Sequence, residues 1–529
     1  MANWDNFKKT VFYSEKTGFM LDFGGMGLDD EYLSAMSGKI AAALEGMDRL
    51  DAGEVVNVDE KRMVGHYWLR NSAKAPTPEL KAEIDGCLSR VKAFAKDVHE
   101  GKILSGTGKK FKNVIVAGIG GSSLGPVFVD KALATPEDKM KLYFLDNTDP
   151  DGMDKVFAAV LPELDETLTV VISKSGGTIE TRNCQEEAKA FYRKNGLDFS
   201  KFAVCVTGTG SKLYNTAKGE GWIDIFPMWD WVGGRTSVMS AVGLLPLSLK
   251  GLDIDAFLRG AADMDELNRN HDVMNNPAAI ASLGWYKCSG GVGGETMVVL
   301  PYKDSLDLFA KYLQQLVMES LGKELDLEGR LVKQGLAVLG NKGTSDQHSY
   351  VQQLVGGPDN VFVTFVQVLK DREGASATVG EDSTSGDYLN AFMLGTKKAL
   401  ESHGKRTMTM TVPTVDAYNV GQLIAIFERS VGIYANLIGI NAYHQPAVEF
   451  GKKAAGGLIA TKNAAYAALK KAGRPMTARE LASEIDADAE DVFRLMLHLA
   501  NNSDELKMDW APDVTESTFG VKRNTILTK

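Results

Sequence analysis

From Asn113 onward the chain repeats one pattern, a short run of β-branched and aliphatic residues followed by a stretch with helical spacing. "NVIVA" leads into a glycine turn. "KLYFLDN", "TLTVVISKS", "FAVCVTG" and "WIDIFPM" follow, separated by segments such as "ETRNCQEEAKAFYRKNG". Alternation of this kind predicts a parallel, doubly wound sheet, because parallel strands need a crossover and helices provide it. Val114 to Ala117 reads as a buried strand, with a helix from Pro126. A helical connection is expected over 251–290. A second alternating unit opens at "ETMVVLPY", continues through "LAVLG" and "VFVTFVQVL", and ends near residue 455. Two α/β units of like design suggest an internal duplication, although no repeat is visible in the sequence.

The flanks differ. Residues 1–105 carry apolar residues at three- and four-residue spacing, as in "EYLSAMSGKIAAALEGMDRL", and read as a mostly helical scaffold. The α/β units then span 106–290 and 291–455, and Gly456-Gly457 marks the expected start of a small module over 456–529. That module reads as three short amphipathic helices with Thr477 as an N-cap, compatible with a helix-turn-helix or winged helix.

Composition narrows the function. A chain of 529 residues that is 44% hydrophobic can build several cores. No apolar run approaches the ~20 residues that span a bilayer, and Met1 to Lys16 lacks the apolar stretch of a signal peptide, so cytoplasm is the expected location. Cys87, Cys184, Cys205 and Cys288 form no CxxC pair and read as reduced core thiols. The seven histidines show no HxxxH or HExxH spacing, so no metal is expected. The net charge of -10 argues against nucleic acid and anionic membranes as partners. It leaves room for an anionic small molecule held by backbone N–H groups.

Four clusters could carry chemistry. "SKSGGTIET", Ser173 to Thr181, sits where a strand gives way to a helix. Taken alone it is an ordinary polar turn; its hydroxyls and helix-start N–H groups also suit a phosphate. "GIGGSSLGP" has the letters of a dinucleotide turn, but Ser123 stands where the third glycine of GxGxxG belongs. A nest for a hydroxylated ligand fits it better. In "LDLFAKYLQQLVMESLGKE", Leu306, Phe309, Leu313, Leu316 and Val317 form an apolar helix face and Gly322 a stop. Gln315 and Glu319 are then neighbours, four residues apart. Glu319 alone is a solvated helix-end carboxylate, yet an apolar setting between Met318 and Ser320 suits a general base. His348, after the glycine-rich "GNKGTSDQ", is structural or a proton shuttle. Arg235 in "WVGGRTSVMS" is a surface arginine or an oxyanion stabiliser.

The ordered set closely resembles the glucose-6-phosphate isomerase family over about residues 55–455. It comprises "RNSA" after His66, "GIGGSSLGP", "SKSGGTIET", "GGRTS", "QQLVMES-GK", "GTSDQHS" and "INAYHQPAVEFGK". The resemblance implies an α/β fold of two SIS-type (sugar isomerase) three-layer α/β/α sandwich domains with parallel sheets. It implies interconversion of glucose 6-phosphate and fructose 6-phosphate through ring opening and a cis-enediolate, with no cofactor. Ser173, Ser175 and Thr178, with the backbone near Lys174, would hold the phosphate, and Gly121 and Ser122 would line the sugar site. His348 and Lys452 would assist ring opening, Glu319 would move the proton, Arg235 would steady the enediolate and Gln315 would contact substrate. A homodimer with shared active sites is implied too.

Several positions depart from the family pattern. Ser123 replaces the usual aspartate of "GGSDLGP", Gly176-Gly177 replace bulkier residues, and "FDQPGVE" reads "YHQPAVE" with His444 and Ala447. These leave mannose 6-phosphate open as a second substrate, and Lys453 is an alternative to Lys452. A phosphosugar-sensing regulator is a rival, but "DAEDVFRLMLHLANN" sets Asp488, Glu490 and Asp491 against Arg494, the wrong charge for reading DNA. A dinucleotide-dependent oxidoreductase suffers from the broken glycine fingerprint.

Overall fold

Five of the apolar runs pair into one parallel sheet. In chain order its strands are Asn113–Ala117, Lys141–Leu145, Thr167–Ile172, Ala203–Thr207 and Asp224–Pro227. Their spatial order is second, first, third, fourth, fifth. Asn113–Ala117 and Thr167–Ile172 are buried at every position, which is why they read as continuous apolar runs and not as alternating ones. The computed structural model describes residues 4–380 and 382–522, without the side chains of 448–454.

A second sheet repeats the winding. Thr296–Pro301, Ala337–Leu339, Val361–Val368 and Arg406–Val412 are parallel and stand in the order second, first, third, fourth. Beyond Arg406–Val412, Met20–Asp22 and Val11–Tyr13 join antiparallel, with Leu21 opposite Met410. The N-terminal segment, expected to be mostly helical, thus contributes two strands to this edge. Its helices, Asp30–Asp51 and Pro78–Glu100, start at the N-caps Asp29 and Thr77.

The helix Ala417–Leu437 is buried along nearly its whole length. It lies against Ile254–Leu267 at backbone contact: a Cβ on Gly260 would stand 1.8 Å from the Tyr418 carbonyl oxygen, and one on Gly421 2.1 Å from that of Phe257. Its charges are paired. Arg429 meets Asp265 at 2.6 Å and Asp51 at 3.0 Å, and Glu428 meets Arg70 at 2.9 Å. Unpaired, such buried charges would be strongly destabilising.

The chain separates into two compact units, Met1–His444 and Gln445–Lys529. The smaller holds the helices Val448–Ala472, Ala478–Ile485 and Ala489–Asn502. Its antiparallel sheet runs Met476–Thr477, Thr518–Val521, Leu506–Asp509. Leu469, Leu481, Val492, Met496 and Phe519 form its core, a winged-helix layout. Thr477 is the N-cap, as expected, and Glu480 completes a capping box with it. Gly456 and Gly457 are no break: they lie within Val448–Ala472, where neighbouring Ala, Leu and Ile sustain the helix. Among the described residues no helix is long and apolar enough to cross a membrane.

Gly260→Ala should cost about 1–3 kcal/mol through overpacking, read as a lowered Tm. Gly457→Ala, whose new methyl meets open space, should raise stability by about 0.5–1 kcal/mol by favouring the helix.

Candidate active site

In the first sheet the order reverses between the first and third strands. A crevice opens there at the strand ends, the usual ligand position in open α/β sheets. The turn Gly118–Ser122 follows the first strand and the Ser173–Thr178 loop follows the third. Gly121 must be glycine, because a Cβ there would stand 1.8 Å from the Gly234 carbonyl oxygen. That approach seats the turn directly on the Arg235 loop, and the Ser237 hydroxyl donates to the Gly121 carbonyl at 3.3 Å. Ser122 is buried beside it. Ser123 turns away and donates to Asp146 at 3.0 Å.

The Ser173–Thr178 loop is folded around its own hydroxyls. Gly176 N–H donates to Ser173 Oγ at 3.2 Å and Gly177 N–H to Ser175 Oγ at 3.1 Å. Thr178 is the N-cap of Ile179–Lys194, yet its hydroxyl does not cap the helix. Three hydroxyls therefore lie beside a helix start, a candidate cradle for an anion. Lys174 does not aim its charge into this cradle. Its ammonium donates to the carbonyls of Asp230 at 2.9 Å and Val232 at 3.1 Å. Burial pulls its pKa below the usual lysine value. It straps the loop to the segment leading into Arg235.

Arg235, in the short 3-10 helix Gly234–Thr236, is the meeting point. Its side chain is only 3% exposed, and its Nη1 lies 3.4 Å from Glu319 Oε2. Nε donates to Ser320 Oγ at 2.7 Å, and Nη2 to the carbonyls of Ala442 at 2.5 Å and His444 at 3.3 Å. Burial lowers its pKa and the Glu319 carboxylate opposes that shift. The expected apolar setting for Glu319 is thus corrected. Its side chain is 22% exposed and its neighbour is a guanidinium, while Met318 faces solvent.

The helix under these residues also differs from expectation. Phe309–Leu313 is α-helical, but Gln314–Glu319 is a π turn. Such bulges cluster at functional sites. Here it presents Gln315 to the glycine turn, its Nε2 3.1 Å from where a Gly120 Cβ would stand, and leaves Glu319 against Arg235.

The structure therefore gathers Gly121, Ser122, Arg235, Gln315 and Glu319 in one place, with the Ser173, Ser175, Thr178 loop tied to it by Lys174. His348 ends the 3-10 helix Ser345–His348 and is exposed. The side chains of Lys452 and Lys453 lie outside the described residues. Sequence reasoning assigned nothing to Ser320 and Lys323, although both lie in a quoted motif. Ser320 holds Arg235, and Lys323 donates to the carbonyls of Glu319 and Ser320, each at 2.7 Å. A lysine just past a helix stop was the available signal. A carboxylate, a fixed guanidinium and an anion cradle together suit proton transfer next to a forming oxyanion.

Comparison with known proteins identifies the family. The family model for phosphoglucose isomerase matches residues 22–467. Glucose-6-phosphate isomerase of Geobacter sulfurreducens is 51% identical over 523 residues, spanning 98% of this chain and 99% of the relative. That of Acaryochloris marina is 52% identical over 503 residues, 95% of each chain. The crystal structure of a glucose-6-phosphate isomerase from Chlamydia trachomatis superposes with a TM-score of 0.77 at 26% identity, covering 87% of this chain and 91% of that one. The chain belongs to the phosphoglucose isomerase family.

Proposed function

We propose that this chain interconverts D-glucose 6-phosphate and D-fructose 6-phosphate. The observation that carries the reading is the Glu319–Arg235 pair, 3.4 Å apart, set against the Gly121 turn at the first sheet's switch point. A hydrogen alpha to a carbonyl is weakly acidic, so its removal needs a base and a group that stabilises the enediolate oxygen. Glu319 takes the proton from C2 of the open-chain aldose and returns it to C1, while the proton of the C2 hydroxyl passes to the C1 oxygen. Arg235 lies beside the same site, already desolvated, and holds the negative oxygen between the two steps. Electrons move only within the substrate, so the conversion is an internal redox reaction.

Ser173, Ser175 and Thr178 hold the phosphate far from the reacting carbons, so its binding energy positions C1 and C2. Gly121, Ser122 and Gln315 line the sugar. His348 and Lys452 open the ring. The exposure of His348 fits a homodimer in which this histidine serves the site of the partner subunit. Cytoplasm is the fitting compartment for Cys87, Cys184, Cys205 and Cys288, all free thiols.

A coupled assay with fructose 6-phosphate, run beside mannose 6-phosphate, tests the reading; no turnover of fructose 6-phosphate would overturn it. Glu319→Gln should lower kcat by about 10²–10⁴-fold while substrate still raises Tm. Ser173→Ala with Thr178→Ala should mainly raise KM, as removal of binding energy does. An unchanged KM would move the phosphate elsewhere.

A further inference from the structure

The group that no part of the proposed reaction employs is Lys323. It is 5% exposed, and it sits where the chain leaves the helix for the hairpin of Lys323–Leu325 with Leu331–Gln334. The Gly322 N–H closes back on the Met318 carbonyl at 2.8 Å. The helix then ends, leaving the carbonyls of Glu319 and Ser320 without onward helical partners. The Lys323 ammonium fills both places at 2.7 Å. These two residues are also the ones whose side chains meet Arg235, through the Glu319 carboxylate at 3.4 Å and the Ser320 hydroxyl at 2.7 Å.

We propose that Lys323 is a positioning residue for the isomerisation: its ammonium clamps the backbone of the Glu319–Ser320 pair and so fixes the base against Arg235. The inference rests on the isomerase reading above. The geometry leaves the lysine one place to act. Its two bonded acceptors are consecutive carbonyls at the end of the π turn, where backbone geometry departs from the regular α-helix and needs outside support. Burial and the nearby Arg235 pull its pKa down to about 7, opposed by Glu319 and Asp59. Release of the clamp would let the carboxylate wander, and a misplacement of about 1 Å at a reacting group can cost about 10²-fold in rate.

The test uses the full chain and fructose 6-phosphate. Lys323→Met should lower kcat by about 10–10²-fold with KM held within about threefold, since the phosphate cradle is untouched. Lys323→Arg, which keeps a cation able to reach both carbonyls, should recover part of the lost kcat. The proposal is overturned if folded Lys323→Met keeps kcat within about threefold of the parent, or if KM carries the loss, or if Lys323→Arg is no better than Lys323→Met. Should Lys323→Met fail to fold, Lys323→Gln replaces it, with the same kcat and KM criteria. A parent enzyme without isomerase activity refutes the functional reading instead, so the two failures are distinct.

Discussion

A guanidinium that is 3% exposed must find acceptors on every side. Burying a charge without them costs several kcal/mol, and breaking one pair of such a network leaves the rest uncompensated. Arg235 meets this demand with Ser320, Glu319, Ala442 and His444. None of these lies near Arg235 in sequence, and Ser320 and Glu319 belong to the half built on the second sheet. The charge is therefore satisfied only when the two α/β halves are correctly docked. Docking is further constrained by the backbone contact at Gly260 and Gly421, where a larger residue would force the two helices apart. Site assembly and domain docking thus become one event.

The same economy explains how a protein of net charge -10 can hold a phosphorylated sugar. Net charge sets the far field, which salt screens within about 8–10 Å. The proposed cradle would act at contact distance, through hydroxyls and a helix start, inside the range that salt screens. Lys174, the nearest ammonium in the loop, is engaged by the carbonyls of Asp230 and Val232. Its charge stiffens the cradle instead of filling it.

Much of this was legible in the residues. "NVIVA", "TLTVVI" and "AVCVT" became central strands because burial on both faces demands uninterrupted apolar character, while "KLYFL" and "DIFP" are the half-buried edges. "RTMTMTV" was passed over; its alternating threonines are buried all the same, since Thr407 and Thr411 lie inside the sheet. The three-residue strands Val11–Tyr13 and Met20–Asp22 are too short to show a period and exist by pairing with Arg406–Val412. The π turn was invisible because the helix ends just after it, so few residues follow to reveal the change of phase. Glu319 and Arg235 were visible as residue types, but not as a pair, because their contact depends on tertiary docking.

The repeated strand order gives the division of labour a physical basis. Each sheet is wound second, first, third, fourth, so each has a crevice at the ends of its first and third strands. In the first half both of those loops are glycine- and serine-rich, which lets backbone approach a ligand. In the second half the segment after the first strand is a helix with a π turn, which projects side chains. An anion cradle needs exposed backbone and a proton-transfer base needs a rigid side chain. One loop chemistry cannot supply both. A duplicated frame can, and Arg235, bonded to Glu319 and Ser320 of the second half, ties the two together.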